Sequence, residues 1–349
     1  YYSFREKPFS LLPDSGFLYL SGKHRMALTL LEYGLMNQAG FTVISGEIGT
    51  GKTTLIRQLL NNIDPLLKVG LISNTHQTFG DLMQWIALAY DLPHQGRDKV
   101  QLYQDFMDFV IQEYAQGRRT VLIIDEAQNM PADTLEELRM LSNVNADKDQ
   151  VLQVILVGQR ELRQTLQRPE LVQFAQRIGV DYHLEPLDEE ETSDYIRHRC
   201  KIAGGKPDLF SDQACAAVHK STGGVPRLIN MLCDTALVYG FAEQRERIDA
   251  QLVHDVASDK QKGGLFPQNS PSTAFEPAPR PDMPEKRVAT VKPVQPIATA
   301  AAERHSGSVV RVAIAAESEL QRLYLSRLLE KFNLDVVATV PLKAEDLQA

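Results

Sequence analysis

Short apolar runs alternate, in the first half of the chain, with segments in which apolar residues recur every three or four positions. The runs FTVIS (41–45), VGLISN (69–74), TVLIID (120–125) and LQVILVGQ (152–159) predict buried β-strands, and VDYHL (180–184) predicts a fifth. Between them, TTLIRQLLNNI (53–63) and similar segments predict helices. Strands that alternate with helices indicate an α/β fold with a mostly parallel sheet, and such a sheet binds ligands at the carboxyl ends of its strands.

The strand pattern stops near residue 187, and helical periodicity continues alone to about residue 262. Four helices are predicted there, with start signals at Asp188, Ser211, Pro226 and Asp249. Two of these segments end in a Gly-Gly pair, as is typical of helix C-termini. We therefore predict an α/β domain over residues 1–187 and a small all-helical domain over residues 188–262.

The composition changes sharply after Lys262. Residues 263–307 hold eight of the 18 prolines, which predicts a disordered linker. Residues 309–340 predict strand, helix and strand, and this tail (308–349) resembles the opening β-α-β unit of a two-component receiver domain. Ala315 and Ala316 stand where receivers carry acidic residues, which leaves Glu317 alone. We expect a docking or dimerising remnant, or a truncated domain, and not a phosphorylation site; the alternative is accidental periodicity in a disordered tail.

Charge and composition narrow the class of protein. The net charge of −8 and the pI of about 5.6 disfavour non-specific binding to nucleic acid or acidic lipid. No apolar run approaches the roughly 18 residues that a membrane helix needs, and YYSFREKPFS lacks the apolar region of a signal peptide. The cysteines and histidines show no spacing typical of a zinc site. These features favour a cytoplasmic protein.

A glycine-rich stretch, GEIGTGKT, lies between the first predicted strand and the first helix. It fits the pattern G-x-x-x-x-G-K-[ST] in the context that a phosphate-binding loop requires. Its glycines allow the backbone N–H groups to approach phosphate oxygens. We expect Lys52 to reach the β- and γ-phosphates of ATP and Thr53 to bind Mg²⁺. The predicted nucleotide contacts are Gly46, Glu47, Ile48, Gly49, Thr50, Gly51, Lys52, Thr53, Thr54 and Asp125; the alternative is a chance glycine loop.

Two adjacent carboxylates end the third predicted strand, in LIIDEAQNM. Burying a bare carboxylate costs several kcal/mol or more, so we expect Asp125 to hold Mg²⁺ through water and Glu126 to polarise the attacking water. The alternative is an exposed acidic helix cap. The helix that follows is predicted to start at a capping box from Thr134 to Glu137.

Three further polar residues are candidates for the same site. Gln159 ends the fourth strand, where it can contact the γ-phosphate or align the water, unless it is an ordinary strand-end residue. Arg227, in GGVPR, opens a helix of the second domain and can fold onto the γ-phosphate, unless it is a surface arginine. Arg177 follows an amphipathic helix and can point into a neighbouring subunit's nucleotide, with Arg168 as its rival. That neither arginine does so is the remaining alternative.

Taken together, these stretches resemble the AAA+ ATPases of the general secretion pathway protein A class over residues 2–262. The resemblance includes FREKPFSLLPDSGFLYLSGKHRMAL, GEIGTGKTT, LIIDEAQNM, LEELRMLSN, LVGQREL, AQRI and GGVPR. The stretches LLEYGLMNQAGFTVISGEIGTGKTTLIRQLL and PELVQFAQRI are similar to the branch associated with exosortase and extracellular polysaccharide systems.

The resemblance implies a P-loop NTPase fold, a parallel sheet flanked by helices, with a helical lid domain. It also implies Walker A at residues 46–53, Walker B at Asp125–Glu126, sensor 1 at Gln159, sensor 2 at Arg227 and an arginine finger at Arg177. The segment from Phe17 to His24 would help to close the adenine pocket. Secretion proteins of this class continue into a membrane helix and a peptidoglycan-binding domain, where this sequence has a linker and a short tail.

The sequence therefore predicts an ATP-hydrolysing enzyme that forms a ring or other homo-oligomer through its nucleotide interface. We expect it to assist assembly or regulation of an envelope secretion or exopolysaccharide system, which it would reach through partners at the inner membrane without a membrane span. The first alternative is an ATP-dependent DNA-binding regulator of the transposition type, although the acidic charge makes nucleic acid an unfavourable partner. The second is a scaffold that holds ATP as a structural ligand.

Overall fold

The computed structural model describes residues 1–12, 15–73, 81–143, 145–146, 149–262, 311–316 and 335–341. The chain divides into two units, Tyr1–Ser270 and Pro271–Ala349, which are described separately below. Among the described residues, there is no helix whose length and apolar character suit a membrane crossing. The predicted linker lies outside the described residues, and the division of the body at residue 187 stays a prediction.

A parallel sheet forms the centre of the first unit. Its five strands, counted in the described part of the chain, run in the order β2-β3-β6-β1-β7, and all neighbouring pairs are parallel. The strands are β1 (Phe41–Gly46), β2 (Leu67–Ile72), β3 (Arg119–Ile124), β6 (Leu152–Gly158) and β7 (Ile178–Leu184); β4 (Asn145–Ala146) and β5 (Asp149–Gln150) form a separate antiparallel pair. The predicted parallel α/β architecture is confirmed, with strand ends shifted by one or two residues.

Helices cover both faces of this sheet. Successive strand residues alternate between two apolar cores, so Leu122 and Ile124 join one cluster while Val121 and Ile123 join the other. Because both faces are covered, the inner strands β1, β3 and β6 are buried along almost all of their length, whereas the edge strands β2 and β7 keep exposed polar positions. The helices are α1 (Gly22–Met36), α2 (Lys52–Asn61), α3 (Leu82–Ala89), α4 (Lys99–Ala115), α5 (Ala132–Leu141), α6 (Arg160–Leu166) and α7 (Val172–Ala175), with short 3₁₀ helices at Ser15–Phe17, Ala127–Asn129 and Pro169–Leu171.

The predicted start of α5 is wrong. The helix begins at Ala132, after Pro131, and shows no side-chain cap. The backbone N–H of Thr134 already donates to the carbonyl of Pro131 at 3.1 Å, so Thr134 lies inside the first turn and cannot cap it. Proline has φ fixed near the helical value, and it therefore started the helix earlier than the capping-box pattern indicated.

Residues 189–262, all of them described, form the four predicted helices: α8 (Glu189–Ile202), α9 (Asp212–Thr222), α10 (Pro226–Ala242) and α11 (Ala250–Lys262). Asp188 and Glu191 form a reciprocal capping box at the start of α8, and Ser211 caps α9. The helices enclose their own apolar core, into which Phe9 of the N-terminal segment inserts against Phe210. The three cysteines are free and buried in this part of the chain.

In the second unit, β8 (Arg311–Ala316) and β9 (Asp335–Pro341) pair in parallel. A parallel pair needs a crossover connection between its strands, which agrees with the predicted strand–helix–strand order. The predicted helix itself, with its apolar positions at Leu320, Leu323, Leu325, Leu328 and Leu329, lies outside the described residues. Its role as a docking remnant stays a prediction.

A chain that ends at Lys262 is expected to keep the fold and nucleotide binding of the full chain, because α11 completes the helical core at that residue. Its thermal midpoint should lie within about 3 °C of that of the full chain, a difference of roughly 1 kcal/mol. Thermal melts and titration with ATP check this. Loss of nucleotide binding in a shortened chain that stays folded by circular dichroism would place the tail in the nucleotide-binding unit.

Candidate nucleotide site

The glycine-rich loop Gly46–Thr53 leaves the inner strand β1 and enters α2, the arrangement that the sequence predicts. Gly49 and Gly51 have φ values of 83° and 101°, in the left-handed region that favours glycine. A Cβ atom on Gly49 would also lie 2.6 Å from the Cβ of Arg227. The loop can therefore follow this path only with glycine at these positions.

Lys52 is buried in the curve of its own loop. Its Nζ donates to the backbone carbonyls of Gly46 at 2.8 Å and Glu47 at 2.9 Å. Burial lowers the pKa of Lys52, and the carboxylates of Glu126, Asp125 and Glu47 act in the opposite direction. The ammonium group thus lies where the loop would receive phosphate, and its bonds to neutral carbonyls can be exchanged for bonds to an anion.

Asp125 follows β3 directly and lies beside Thr53. The Thr53 hydroxyl donates to Asp125 Oδ2 at 2.9 Å, and the Glu126 backbone N–H donates to Asp125 Oδ1 at 2.9 Å. Asp125 is 6% exposed, so it is not an exposed helix cap. Burial raises its pKa, which the hydrogen bonds from Thr53 and from the Glu126 backbone oppose. A hydroxyl and a carboxylate in contact fit the oxygen ligands that Mg²⁺ prefers.

Glu126 is held at the end of β3 in a left-handed backbone conformation, with φ 55° and ψ 35°. Its Oε2 accepts a hydrogen bond from the side-chain amide of Gln159 at 3.2 Å. It also accepts one at 2.6 Å from Gln128, a residue that the sequence analysis did not single out. Glu126, predicted to polarise the attacking water, is therefore hydrogen-bonded to Gln159, predicted to contact the γ-phosphate.

The helical domain contacts the loop through Arg227. The backbone N–H of Arg227, in the first turn of α10, donates to the carbonyl of Gly49 at 3.2 Å. Its side chain lines the same cleft as Lys52 and Glu126. Arg227 thus lies against the phosphate-binding loop, as a residue that senses the γ-phosphate must.

A cleft of about 370 Å³ extends from the loop between the N-terminal segment and the helical domain. This volume lies in the range of small-molecule sites. Residues outside the phosphate-binding loop that line the cleft include Leu11, Phe17, Tyr19, Tyr195, Arg199 and Asn230. The expected closure of the pocket by the segment from Phe17 to His24 fits this arrangement.

A buried arginine ties the N-terminal segment to the helical domain. Arg199 of α8 donates to the carbonyl oxygens of Pro8 and Ser10 and to the hydroxyl of Tyr195, and its guanidinium lies 5.0 Å from the centre of the Phe17 ring. Arg199 is 7% exposed. Because its partners are up to 191 residues away in the chain, no local sequence pattern could have indicated it.

His24 connects the start of α1 to the phosphate-binding loop. Its Nε2 donates to the carbonyl of Thr50 at 2.9 Å, and its Nδ1 lies 2.9 Å from the Ser21 hydroxyl that caps the helix. A carbonyl only accepts, so Nε2 carries the proton in the neutral ring. Burial lowers the pKa of His24, against the raising effect of the Thr50 carbonyl and of Glu191, while Lys23 lowers it further.

The structure brings neither candidate finger arginine into its own cleft. Arg177 Nη1 donates to the carbonyl of Arg139 at 3.2 Å and to the Ser142 hydroxyl at 3.1 Å, at the end of α5. Arg168 is exposed and lies 3.7 Å from Glu170. A residue that acts on a neighbouring subunit has to lie outside its own site, and the choice between the two stays a prediction.

Comparisons with known proteins show which families and proteins this chain resembles. Residues 35–166 match the family described as AAA domain. The chain is 39% identical over 249 residues to General secretion pathway protein A of Aeromonas hydrophila, a match that covers 71% of this chain and 46% of that protein. The chain therefore spans less than half the length of this relative.

Two solved structures show the same fold. The ORC2 protein of Aeropyrum pernix, in ADPNP–ADP complexes, has a TM-score of 0.56 and 18% identity, over 74% of this chain and 72% of that one. Cdc6p of Pyrobaculum aerophilum has a TM-score of 0.54 and 18% identity, over 71% of each chain. At 18% sequence identity, these similarities show that the chain shares the fold of these two proteins and show nothing further.

Replacing His24 by Gln is expected to change how stability depends on pH. Because burial lowers the pKa of folded His24 below its ordinary 6.5, the folded state favours the neutral ring, and stability is lost as pH falls below 6.5. The variant should be less stable at pH 7.5 by about 1 kcal/mol. That deficit should shrink towards pH 5.5, by at most about 1.4 kcal/mol per pH unit.

Urea unfolding at several pH values measures this difference. His254→Gln, at an exposed position of α11, is the matched control. Its free energy of unfolding should depend on pH as that of the wild type does. A constant difference between wild type and His24→Gln over this pH range would contradict the buried neutral ring.

Proposed function

The chain belongs to the AAA+ ATPases, and we propose that it binds ATP with Mg²⁺ at Gly46–Thr53 and hydrolyses it to ADP and phosphate. The observation that carries the proposal is the convergence of Lys52, Thr53, Asp125 and Glu126 at the carboxyl ends of β1 and β3. These groups come from segments more than 70 residues apart in the chain. Together they provide a cation that can bind phosphate (Lys52), oxygen ligands for a metal ion (Thr53 and Asp125) and a carboxylate that can polarise water (Glu126).

In this mechanism, Lys52 exchanges its bonds to the loop carbonyls for bonds to the β- and γ-phosphates. Thr53 and Asp125 would hold Mg²⁺, which would supply neutralising charge to the phosphate oxygens. Glu126 orients and polarises the attacking water, and the Gln159 amide contacts the γ-phosphate. Arg227, on the helical domain, contacts the γ-phosphate as well, so that hydrolysis changes the contact between the helical domain and the loop.

Assembly completes the proposed site. Arg177 lies outside the cleft of its own chain and is exposed beside the end of α5. We propose that it enters a neighbouring subunit's cleft, where a cation stabilises the charge that develops on the transferred phosphoryl group. The proposed form of the protein is therefore a homo-oligomer joined through the nucleotide site.

For the cellular role, we propose assistance to the assembly or regulation of an envelope secretion or exopolysaccharide system. The 39% identity to General secretion pathway protein A supports this role. We propose a location in the cytoplasm, at the inner membrane through partners. A DNA-binding regulator remains the competing role; the net charge of −8 disfavours it, and a salt-dependent DNA shift assay separates the two.

Substitutions at Lys52 and Glu126 should separate binding from hydrolysis. Lys52→Ala removes a charge-assisted bond to phosphate, so the Kd for ATP should rise about ten- to a hundredfold, the equivalent of roughly 1.5–3 kcal/mol. Glu126→Gln should bind ATP like the wild type and keep less than about a tenth of its turnover. Fluorescent nucleotide titration and phosphate release measure the two effects.

Two surface variants serve as matched controls. Lys99→Ala removes an exposed lysine that pairs with Glu137 on α5, and Glu243→Gln removes an exposed carboxylate that pairs with Arg245. Both should bind and hydrolyse ATP like the wild type. Turnover above about a tenth of the wild-type value in Glu126→Gln would remove Glu126 from the assigned role, since such a carboxylate contributes roughly a hundredfold or more.

Arg177→Ala is expected to leave ATP binding nearly unchanged and to depress hydrolysis, because its guanidinium would act in a neighbour's site. Mixing Arg177→Ala subunits with Glu126→Gln subunits should restore part of the activity, because some interfaces then combine an intact Glu126 with an intact Arg177. Phosphate release from mixtures at several ratios measures this recovery. Absence of recovery in subunits shown to exchange argues against a shared site, and the same phenotype in Arg168→Ala alone would assign the role to Arg168.

A further inference from the structure

Gln128 joins the two polar side chains that face the expected γ-phosphate and attacking water. Its Nε2 donates to Glu126 Oε2 at 2.6 Å, and its Oε1 accepts from the backbone N–H of Gln159 at 2.9 Å. The side-chain amide of Gln159 donates to the same oxygen of Glu126 at 3.2 Å. The three residues thus form a closed ring of hydrogen bonds between the end of β3 and the end of β6.

The chemistry of the partners fixes the orientation of the Gln128 amide. A backbone N–H only donates, and an ionised carboxylate only accepts. A reversed amide would place its NH₂ group against the Gln159 N–H and its oxygen against the Glu126 carboxylate, which loses both bonds. A side chain of the same shape without both a donor and an acceptor therefore cannot replace Gln128.

The surrounding backbone makes room for this contact. A Cβ atom on residue 158 would lie 3.0 Å from Gln128 Oε1 and 2.8 Å from a methyl carbon of Leu162, so Gly158 leaves the space that the amide fills. Glu126 itself has a left-handed backbone, which a residue with a side chain adopts only where its surroundings hold it. Both features accompany the hydrogen bonds by which Gln128 and Gln159 hold the Glu126 carboxylate.

We propose that Gln128 is a positioning residue for hydrolysis, which holds the Glu126 carboxylate and the Gln159 amide at a fixed separation. This inference rests on the proposed ATPase function. Glu126 and Gln159 line the cleft, whereas Gln128 is not among the described residues that line it, so Gln128 acts through its two partners. A displacement of about 1 Å in a reacting group can cost on the order of a hundredfold in rate. The effect should therefore fall on kcat and leave nucleotide binding unchanged.

Two substitutions of Gln128 test this role. Gln128→Ala removes the contact, and Gln128→Glu keeps the shape and the acceptor for the Gln159 N–H but replaces the donor by a second carboxylate. Both should lower kcat about tenfold or more, with KM and the Kd for ATP within about threefold of wild type. Steady-state phosphate release and nucleotide titration measure these values, and circular dichroism checks the fold.

Gln104→Ala is the matched control. The Gln104 side-chain amide donates to Asp108 at 2.9 Å on the exposed face of α4, a bond of the same chemical kind outside the cleft. Its loss should leave kcat within about twofold of wild type, because this exposed contact involves none of the described residues that line the cleft. If Gln128→Ala does not fold, the isosteric Gln128→Glu decides.

The outcomes separate this inference from the proposed function. A near-normal kcat in Gln128→Glu would show that only the shape of the residue matters, and would overturn the positioning role. An increased kcat in either variant, or a change in KM alone, would overturn it as well. Absence of phosphate release in both the wild type and Gln104→Ala would instead refute the ATPase function, and the inference with it.

Discussion

The backbone of the glycine-rich loop is the structural element on which the rest of the site depends. Two separate segments contact it, through His24 of α1 at the carbonyl of Thr50 and Arg227 of α10 at the carbonyl of Gly49, and Lys52 contacts it from within the loop. These contacts use carbonyl oxygens, which leaves the loop N–H groups as the natural donors to phosphate. The loop is thus held in a phosphate-binding path by contacts that nucleotide does not have to break, apart from those of Lys52.

This arrangement connects nucleotide binding to the position of the helical domain. Arg227 belongs to α10, and Arg199 of α8 holds the carbonyls of Pro8 and Ser10, so the N-terminal segment and the helical domain form two walls of one cleft. A γ-phosphate that attracts Arg227 acts on a helix of 17 residues. The presence or loss of the γ-phosphate can therefore change a surface of the helical domain that lies far from the loop. A partner protein that binds such a surface can respond to the nucleotide.

The sequence allowed prediction of the parts of the site that depend on local pattern. Strand, glycine loop and helix are contiguous, so Lys52 and Thr53 could be placed, and Asp125 could be paired with them because parallel strands end at one edge of the sheet. Gln128 was not identified as a site residue, and His24 was included only as the end of the segment expected to close the adenine pocket. The contact of Gln128 with the backbone of Gln159 and that of His24 with the loop join residues that no local sequence pattern connects. The start of α5 was misplaced because two start signals competed, and the proline at residue 131 was the effective one.

In the proposed mechanism, the loop backbone is the shared contact through which the helical domain responds to nucleotide. Hydrogen–deuterium exchange, followed by mass spectrometry, measures this directly on the full chain with and without Mg²⁺ and a non-hydrolysable ATP analogue, with Mg²⁺ alone as the control. We expect nucleotide to slow exchange in residues 46–54 and, in parallel, in residues 223–230 at the start of α10. Slower exchange confined to residues 46–54, with residues 223–230 unchanged at saturating nucleotide, would contradict this mechanism.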